Sequence, residues 1–215
     1  MGVQDRKARE FQRREADLLQ AALALSNRDD WQSVTIDQIA QKAEIGKGTV
    51  YKHFASKDEI HARLAIQFHG VVLQRLRAIN PALATGDRLR EVLRTFWEVY
   101  STHTEYQRVV EYCERPDFQR MVGADTRRRM RELGAGFAEV IAAIVRQGVV
   151  DGVLPNRPMP LLLFGAQAAL VGALKLLWMG NLAGPKEPYL EELTAFVLAG
   201  LTRRTRASGR VGKPA

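Results

Sequence analysis

Residues 33–60 read SVTIDQIAQKAEIGKGTVYKHFASKDEI, and the fold is decided in this stretch. Thr35 suits a helix N-cap, and Gln38 three residues on completes a capping box, so a short helix starts here. Ile36, Ile39, Ala40 and Ala43 take its buried positions. Glu44-Ile45-Gly46 makes a three-residue turn, and a second short helix spans about Lys47 to His53. Ala40 is small where the second helix must cross closely, and Ile39, Ile45, Val50 and Phe54 fill the space between the two. Two short helices joined by so tight a turn form a helix-turn-helix.

The side chains left outward on the second helix are Lys47, Thr49, Lys52 and His53, with Tyr51 flanking, a donor-rich face without an acid. Such a helix can enter a major groove, where Lys reads guanine acceptors and Thr meets base edges or thymine methyls. Lys47, Thr49 and Lys52 are therefore the expected base-reading residues, and Gly48 keeps the leading turn thin enough to approach. Thr35, Tyr51, His53 and Lys57 suit phosphate oxygens, which position a reader without specifying sequence. Gly46-Lys47-Gly48-Thr49 superficially suggests a phosphate loop, but the first glycine and the hydroxyl after the lysine are both missing.

Outward from this core the pattern stays helical. Phe11, Leu18, Ala22 and Leu25 share one face of a helix ending near Ser26. Ser56-Lys57-Asp58-Glu59 reads as a second capping box, opening a long helix that Asn80-Pro81 ends. Further helices fit about 87–102 and 105–114, and Pro116 at an N1 position predicts the start of a long helix reaching Val150. An apolar helix follows to about Asn181, and a last one runs from Tyr189 to about Arg203. The expected fold is all-α: a helix-turn-helix domain over 8–60, a helical domain over 61–205, and a flexible basic tail over 206–215.

The 215 residues carry a net charge of +8, which suggests a polyanionic partner. Residues 1–60, however, hold ten basic and ten acidic side chains, while Arg203, Arg204, Arg206, Arg210 and Lys213 supply +5 at the end. Bulk charge is thus weak evidence for a DNA site. A lone Cys113 excludes an internal disulfide framework and a multi-cysteine zinc site, and reads as a buried structural thiol. The four histidines show no paired metal spacing, and no nucleophile elbow or triad spacing marks an enzyme, so neither cofactor nor metal is expected. The charged N-terminus lacks a signal-peptide core, which points to the cytoplasm. The most apolar stretch, Met159 to Leu182, is interrupted by Pro160 and Lys175 and is expected to fall short of a membrane span.

The series Thr35, Ile39-Ala40, Ala43, Ile45-Gly46-Lys47-Gly48-Thr49-Val50-Tyr51, His53-Phe54 and Ser56-Lys57-Asp58-Glu59 resembles the signature of TetR-family transcriptional regulators. The likeness covers about residues 12–60; the rest matches in being all-helical. Two positions depart from the pattern: Glu44 stands where that turn usually has Gly, and Gly46 where a Ser usually caps the recognition helix. The resemblance implies a homodimeric DNA-binding protein, usually a repressor, released by a small ligand held in its C-terminal domain.

Dimerisation has support in the residues themselves. Gly165, Ala168, Ala169, Gly172 and Ala173 would let a partner backbone come close along 161–180, and Leu190, Leu193, Val197 and Leu201 share a face of 189–203. The ligand-lining candidates are Trp97, Tyr100, His103, Tyr112, Phe118, Phe137, Phe164, Gln167 and Trp178, whose aromatic content favours an apolar or aromatic effector. The expected function is a ligand-released repressor acting as a homodimer on palindromic double-stranded DNA. An activator, or a small-molecule carrier with a vestigial helix-turn-helix, stands as the alternative.

Overall fold

The computed structural model describes residues 3–202. The basic tail and the end of the last predicted helix lie outside them. Among the described residues there are nine α-helices and no strand. They are α1 (Val3–Ser26), α2 (Ile36–Lys42), α3 (Lys47–His53), α4 (Lys57–Arg77), α5 (Thr85–Thr102), α6 (Gln107–Cys113), α7 (Ala124–Val150), α8 (Met159–Trp178) and α9 (Glu187–Thr202).

The chain divides into two compact units, residues 1–74 with 102–136 and residues 75–101 with 137–215. Packing therefore follows different lines from a single boundary at residue 60, because a returning segment completes the first unit. In that unit Leu18, Leu19, Ala22 and Leu25 of α1 pack with Ile39, Ala40, Val50, Phe54, Ile60 and Leu64. Val109, Cys113, Phe118 and Val122 from the returning segment join the same core. Each large aliphatic side chain so buried contributes about 1.5–3 kcal/mol.

Polar clasps fix the returning segment within the first unit. Arg108 donates to the Arg28 carbonyl and, at 3.1 Å, to the Asp29 carboxylate. The Tyr112 hydroxyl donates to Asp58 at 2.6 Å. The long helix does not begin at Pro116 as its sequence predicts. A 3-10 turn at Phe118–Arg120 intervenes, and α7 starts at Ala124. The break lets Phe118 turn fully into the core, where it has no exposed surface. It also places the Gly123 amide and the Thr126 hydroxyl on the Glu59 carboxylate. Ser56 still accepts from the Glu59 amide at 3.2 Å. The expected box is thus half-made, since Glu59's own carboxylate caps α7 instead.

In the second unit the core is drawn from Leu89, Val92, Trp97 and Tyr100 of α5, Ile144 and Val145 of α7, and Leu154. A Cβ on Gly148 would lie 2.7 Å from Thr85 and 2.8 Å from Leu154, so this crossing requires glycine. α8 and α9 pack together, burying Leu162, Leu174 and Leu177 of one and Val197 and Leu201 of the other. Pro160 does not interrupt α8; it sits in its first turn, where a missing amide hydrogen costs nothing. Contrary to the expectation for 159–182, α8 is therefore long and apolar enough to cross a membrane by length and composition, and α7 passes the same test independently.

Candidate nucleic-acid interface

The reading element is built from local rules. Thr35 caps α2 as its spacing predicts: the Gln38 amide donates to Thr35 Oγ1 at 3.3 Å, and the Thr35 amide donates to Gln38 Oε1 at 2.8 Å. At the other end the Ile45 amide donates to the Ala40 carbonyl at 2.9 Å and the Glu44 amide to the Gln41 carbonyl at 3.1 Å. This pair of bonds is a Schellman motif, which demands a left-handed residue at its pivot. Glu44 is that residue, with φ 55°. Glycine is favoured at such a pivot because only a residue without Cβ adopts that backbone freely.

α3 then starts from Gly46, whose carbonyl accepts from the Thr49 amide at 2.8 Å. Its back is closed by Val50, which is fully buried, and by Phe54. Lys47, Gly48, Tyr51 and Lys52 remain on the exposed side, and Thr49 is half-buried. Neither Gly46 nor Gly48 has an atom within 4 Å of where a Cβ would stand. Packing within the chain therefore does not call for glycine at 48.

The side chains expected to meet phosphates, and Lys47 among the base readers, are less uniform. Tyr51 is 51% exposed and fits the role by position. Lys47 pairs with Asp37 at 2.8 Å, and that carboxylate's hydrogen bond holds the ammonium pKa above its usual value. Both partners are well exposed, so water competes for the bond. His53 is drawn inward: its ring stacks on Phe11 at 3.9 Å, its Nδ1 is buried without a hydrogen bond, and burial pushes its pKa down. Lys57 donates to the Gln32 carbonyl at 2.8 Å and the Val34 carbonyl at 3.0 Å, tying the entry to α2 onto α4.

The residues expected to line a ligand site are not brought together in one unit. His103, Tyr112 and Phe118 belong to the first. His103 lies 3.3 Å from Glu105, and Tyr112 and Phe118 serve the core around the helix-turn-helix. Burial, aided by the bond to Asp58, pushes the Tyr112 phenol up to about 12. Cys113 beside it is buried, and burial pushes its thiol up too, as befits a structural rather than a reactive cysteine. In the second unit Trp97 and Tyr100 are buried. Trp178 stacks on Tyr100 at 4.8 Å and donates from Nε1 to its carbonyl at 2.9 Å. Phe137 stacks on Phe96 at 6.0 Å. Phe164, 72% exposed, and Gln167 instead point away from the core of that unit.

A cavity of about 390 Å³ in the first unit is bordered by none of these nine residues. His53, Phe54, Glu15, Arg63, Glu59 and Arg129 line it. Their charges are matched internally: Arg63 to Glu15 at 2.7 Å, Arg129 to Asp125 at 2.9 Å, and Glu59 to the start of α7. No group of three or more potential metal ligands occurs among the described residues. Sequence reasoning missed Phe11, Asp37 and Arg108, each of which acts across a fold contact with no local signature.

Comparison with known proteins places this geometry. Residues 18–64 match the family model described as bacterial regulatory proteins, tetR family. The transcriptional repressor KstR2 of Mycobacterium tuberculosis is 26% identical over 149 residues, covering 69% of this chain and 72% of the relative. The fatty acid degradation regulator FadR of Bacillus halodurans superposes with a TM-score of 0.72 at 15% identity, over 89% of this chain and 97% of its own. FadR of Bacillus subtilis, solved in complex with stearoyl-CoA, gives 0.70 at 15% identity, over 86% and 98%. These structural likenesses speak for the fold, and the family model speaks for the helix-turn-helix. Residues 18–64 thus carry a helix-turn-helix of the tetR family, and the chain as a whole is similar in fold to solved TetR-family transcriptional regulators.

Proposed function

We propose that the protein is a cytoplasmic homodimeric repressor that reads a palindromic operator with α3 and is released by a small apolar ligand. The observation that carries this reading is α3 itself, a helix with a fully buried back at Val50 and an outward face of Lys47, Gly48, Tyr51 and Lys52. Lys47, Thr49 and Lys52 take the base contacts, Gly48 allows close approach, and Thr35 and Tyr51 take phosphates. His53 and Lys57 act from behind, by holding α1 and the entry to α2 in place.

Exposed apolar side chains on α8 and α9 support dimerisation. Leu161, Phe164, Val171 and Leu176 on α8, Met179 just past its end, and Phe196 on α9 leave apolar surface in water that a second copy would cover. Two readers held by such an interface would meet one groove face about 34–36 Å apart or a multiple of it. A ligand releases them only by favouring one reader spacing over the other. The apolar aromatic core of the second unit and the stearoyl-CoA held by one fold neighbour support a ligand with a substantial apolar part. The repressor named among the relatives supports repression over activation.

The test is selection of DNA from a random pool, followed by retention measurements with Lys52→Ala and Tyr51→Ala. The reading predicts a palindrome in the selected DNA and weakened retention in both variants. Unchanged retention by both would remove α3 as the reader, and failure to select any sequence would leave a ligand carrier.

A further inference from the structure

The first fifteen residues of α1 do little for the core. Burial on this helix begins at Leu18, yet the helix starts at Val3, so some four turns precede its first fully buried side chain. Residues 3–14 carry Arg6, Lys7, Arg9, Arg13 and Arg14 against Asp5 and Glu10, and Glu10 is engaged by Arg14 at 2.9 Å and Arg13 at 3.4 Å. This surplus was hidden in the neutral total of residues 1–60. One apolar contact fastens the segment: Phe11, itself half-exposed, stacks on His53, the last residue of α3. Lys7 lies one turn before Phe11 on the same helix face, and Arg14 one turn after. A basic helix is thereby pinned against the end of the helix proposed to enter the groove.

We infer that the N-terminal turns of α1, seated by the Phe11–His53 stack, form a second DNA-contacting surface that grips backbone phosphates flanking the bases read by α3. The inference rests on α3 being the reader. A helix of seven residues spans about 10 Å, so phosphates bordering a groove some 12 Å wide run past its ends. Lys7 stands about 6 Å along α1 from the Phe11–His53 contact, toward the helix N-terminus. Contacts of this kind add affinity and salt dependence and no sequence preference. His53 then acts as the seat of the stack, and burial lowers its pKa, which favours the uncharged ring against Phe11.

The experiment compares the full chain with Arg6→Gln/Lys7→Gln/Arg9→Gln on two duplexes carrying the selected palindrome, one ending at the read bases and one extended by several base pairs on each side. These side chains are exposed, so the variant keeps its core. On the extended duplex the variant should bind roughly fivefold more weakly per lost phosphate contact at 0.15 M salt, and the slope of log affinity against log salt should shrink by about one per contact. On the short duplex the two proteins should bind alike, and the selected bases should not change. Phe11→Ala, which keeps every charge, should reproduce the loss on extended DNA, with helical content checked by circular dichroism. A triple variant with wild-type affinity and slope on extended DNA overturns the inference alone, leaving α3 as reader. A wild-type chain that retains no selected duplex overturns both.

Discussion

α3 and α8 solve opposite problems. α3 has seven residues, too few to be stable alone, and holds its shape because Val50 is buried and its ends are tied by the Schellman turn and by Phe54. Its outer face is polar and incomplete only with respect to a partner of opposite charge. α8 has twenty residues, is apolar nearly all round, and leaves Phe164 in water although a helix of that composition belongs inside. The short helix depends on its own chain for its conformation, while the long one is left largely uncovered by the described residues and, in the proposed dimer, would be covered by a second copy. Affinity for DNA would therefore need both: α3 for recognition, α8 to hold two readers in register.

The largest effect should come from breaking the α8 side. Phe164→Asp places a charge in the proposed interface and should cost at least about 2–4 kcal/mol of association, read as a dimer turning monomer in sedimentation. Operator affinity should fall with it while the monomer keeps its helical content. A variant that stays dimeric would mean that α8 is covered in some other way.

Next is an acid weakness confined to the first unit. Burial holds the pKa of His61 and His69 down to about 4, against the ordinary 6.5. Around His61 stand Trp31, Tyr112, Lys57 and Asp58. Because the folded pKa is lowered, the unfolded chain takes up these protons first. Stability is therefore full above about pH 6.5 and falls as pH drops toward 4, by up to about 3 kcal/mol for each histidine. Urea midpoints measured between pH 7 and 4.5 should decline, and His61→Leu should flatten that decline. An identical slope in the variant would show that His61 is not among the groups responsible.

On α3 itself, Lys52→Ala should weaken operator binding by about 1–3 kcal/mol and relax preference at one base, with unfolding unchanged. Gly48→Ala separates stability from recognition still more sharply. No atom of the chain obstructs a Cβ there, so the helix should gain about 0.5 kcal/mol while operator retention declines. Stabilised protein with undiminished binding would mean that DNA does not approach Gly48. The smallest effect belongs to the turn: Glu44→Gly removes a left-handed strain of about 1 kcal/mol but loosens the unfolded chain, for a net gain of a few tenths. The melting temperature should rise by about a degree.

Legibility differed between the same two regions. The boundaries of α3, the Thr35–Gln38 box and the buried Ile39, Val50 and Phe54 are all readable, because caps, turns and 3.6-residue periodicity act within a few residues. Glu44 was visible as an oddity, and its φ supplies the cause. Tyr112, Phe118 and the start of α7 are less legible, for the opposite reason. An aromatic at helical spacing looks the same whether it walls a ligand site or closes a core, and Pro116 is as good a start for a helix that never forms. Glu59 fits a capping box by spacing, and only the nearby Gly123 amide turned its carboxylate elsewhere.

By itself the sequence determined an all-helical chain, the helix-turn-helix and the face it presents, since these follow from local propensity, capping and periodicity. Tertiary structure alone decided that residues 102–136 complete the first unit, that Lys57 and His53 turn inward, that Phe11 seats α1 on α3, and that Phe164 stays outside. Those outcomes depend on which surfaces meet across tens of residues. Burial and hydrogen-bond satisfaction settle that competition, and no local pattern of residues encodes it.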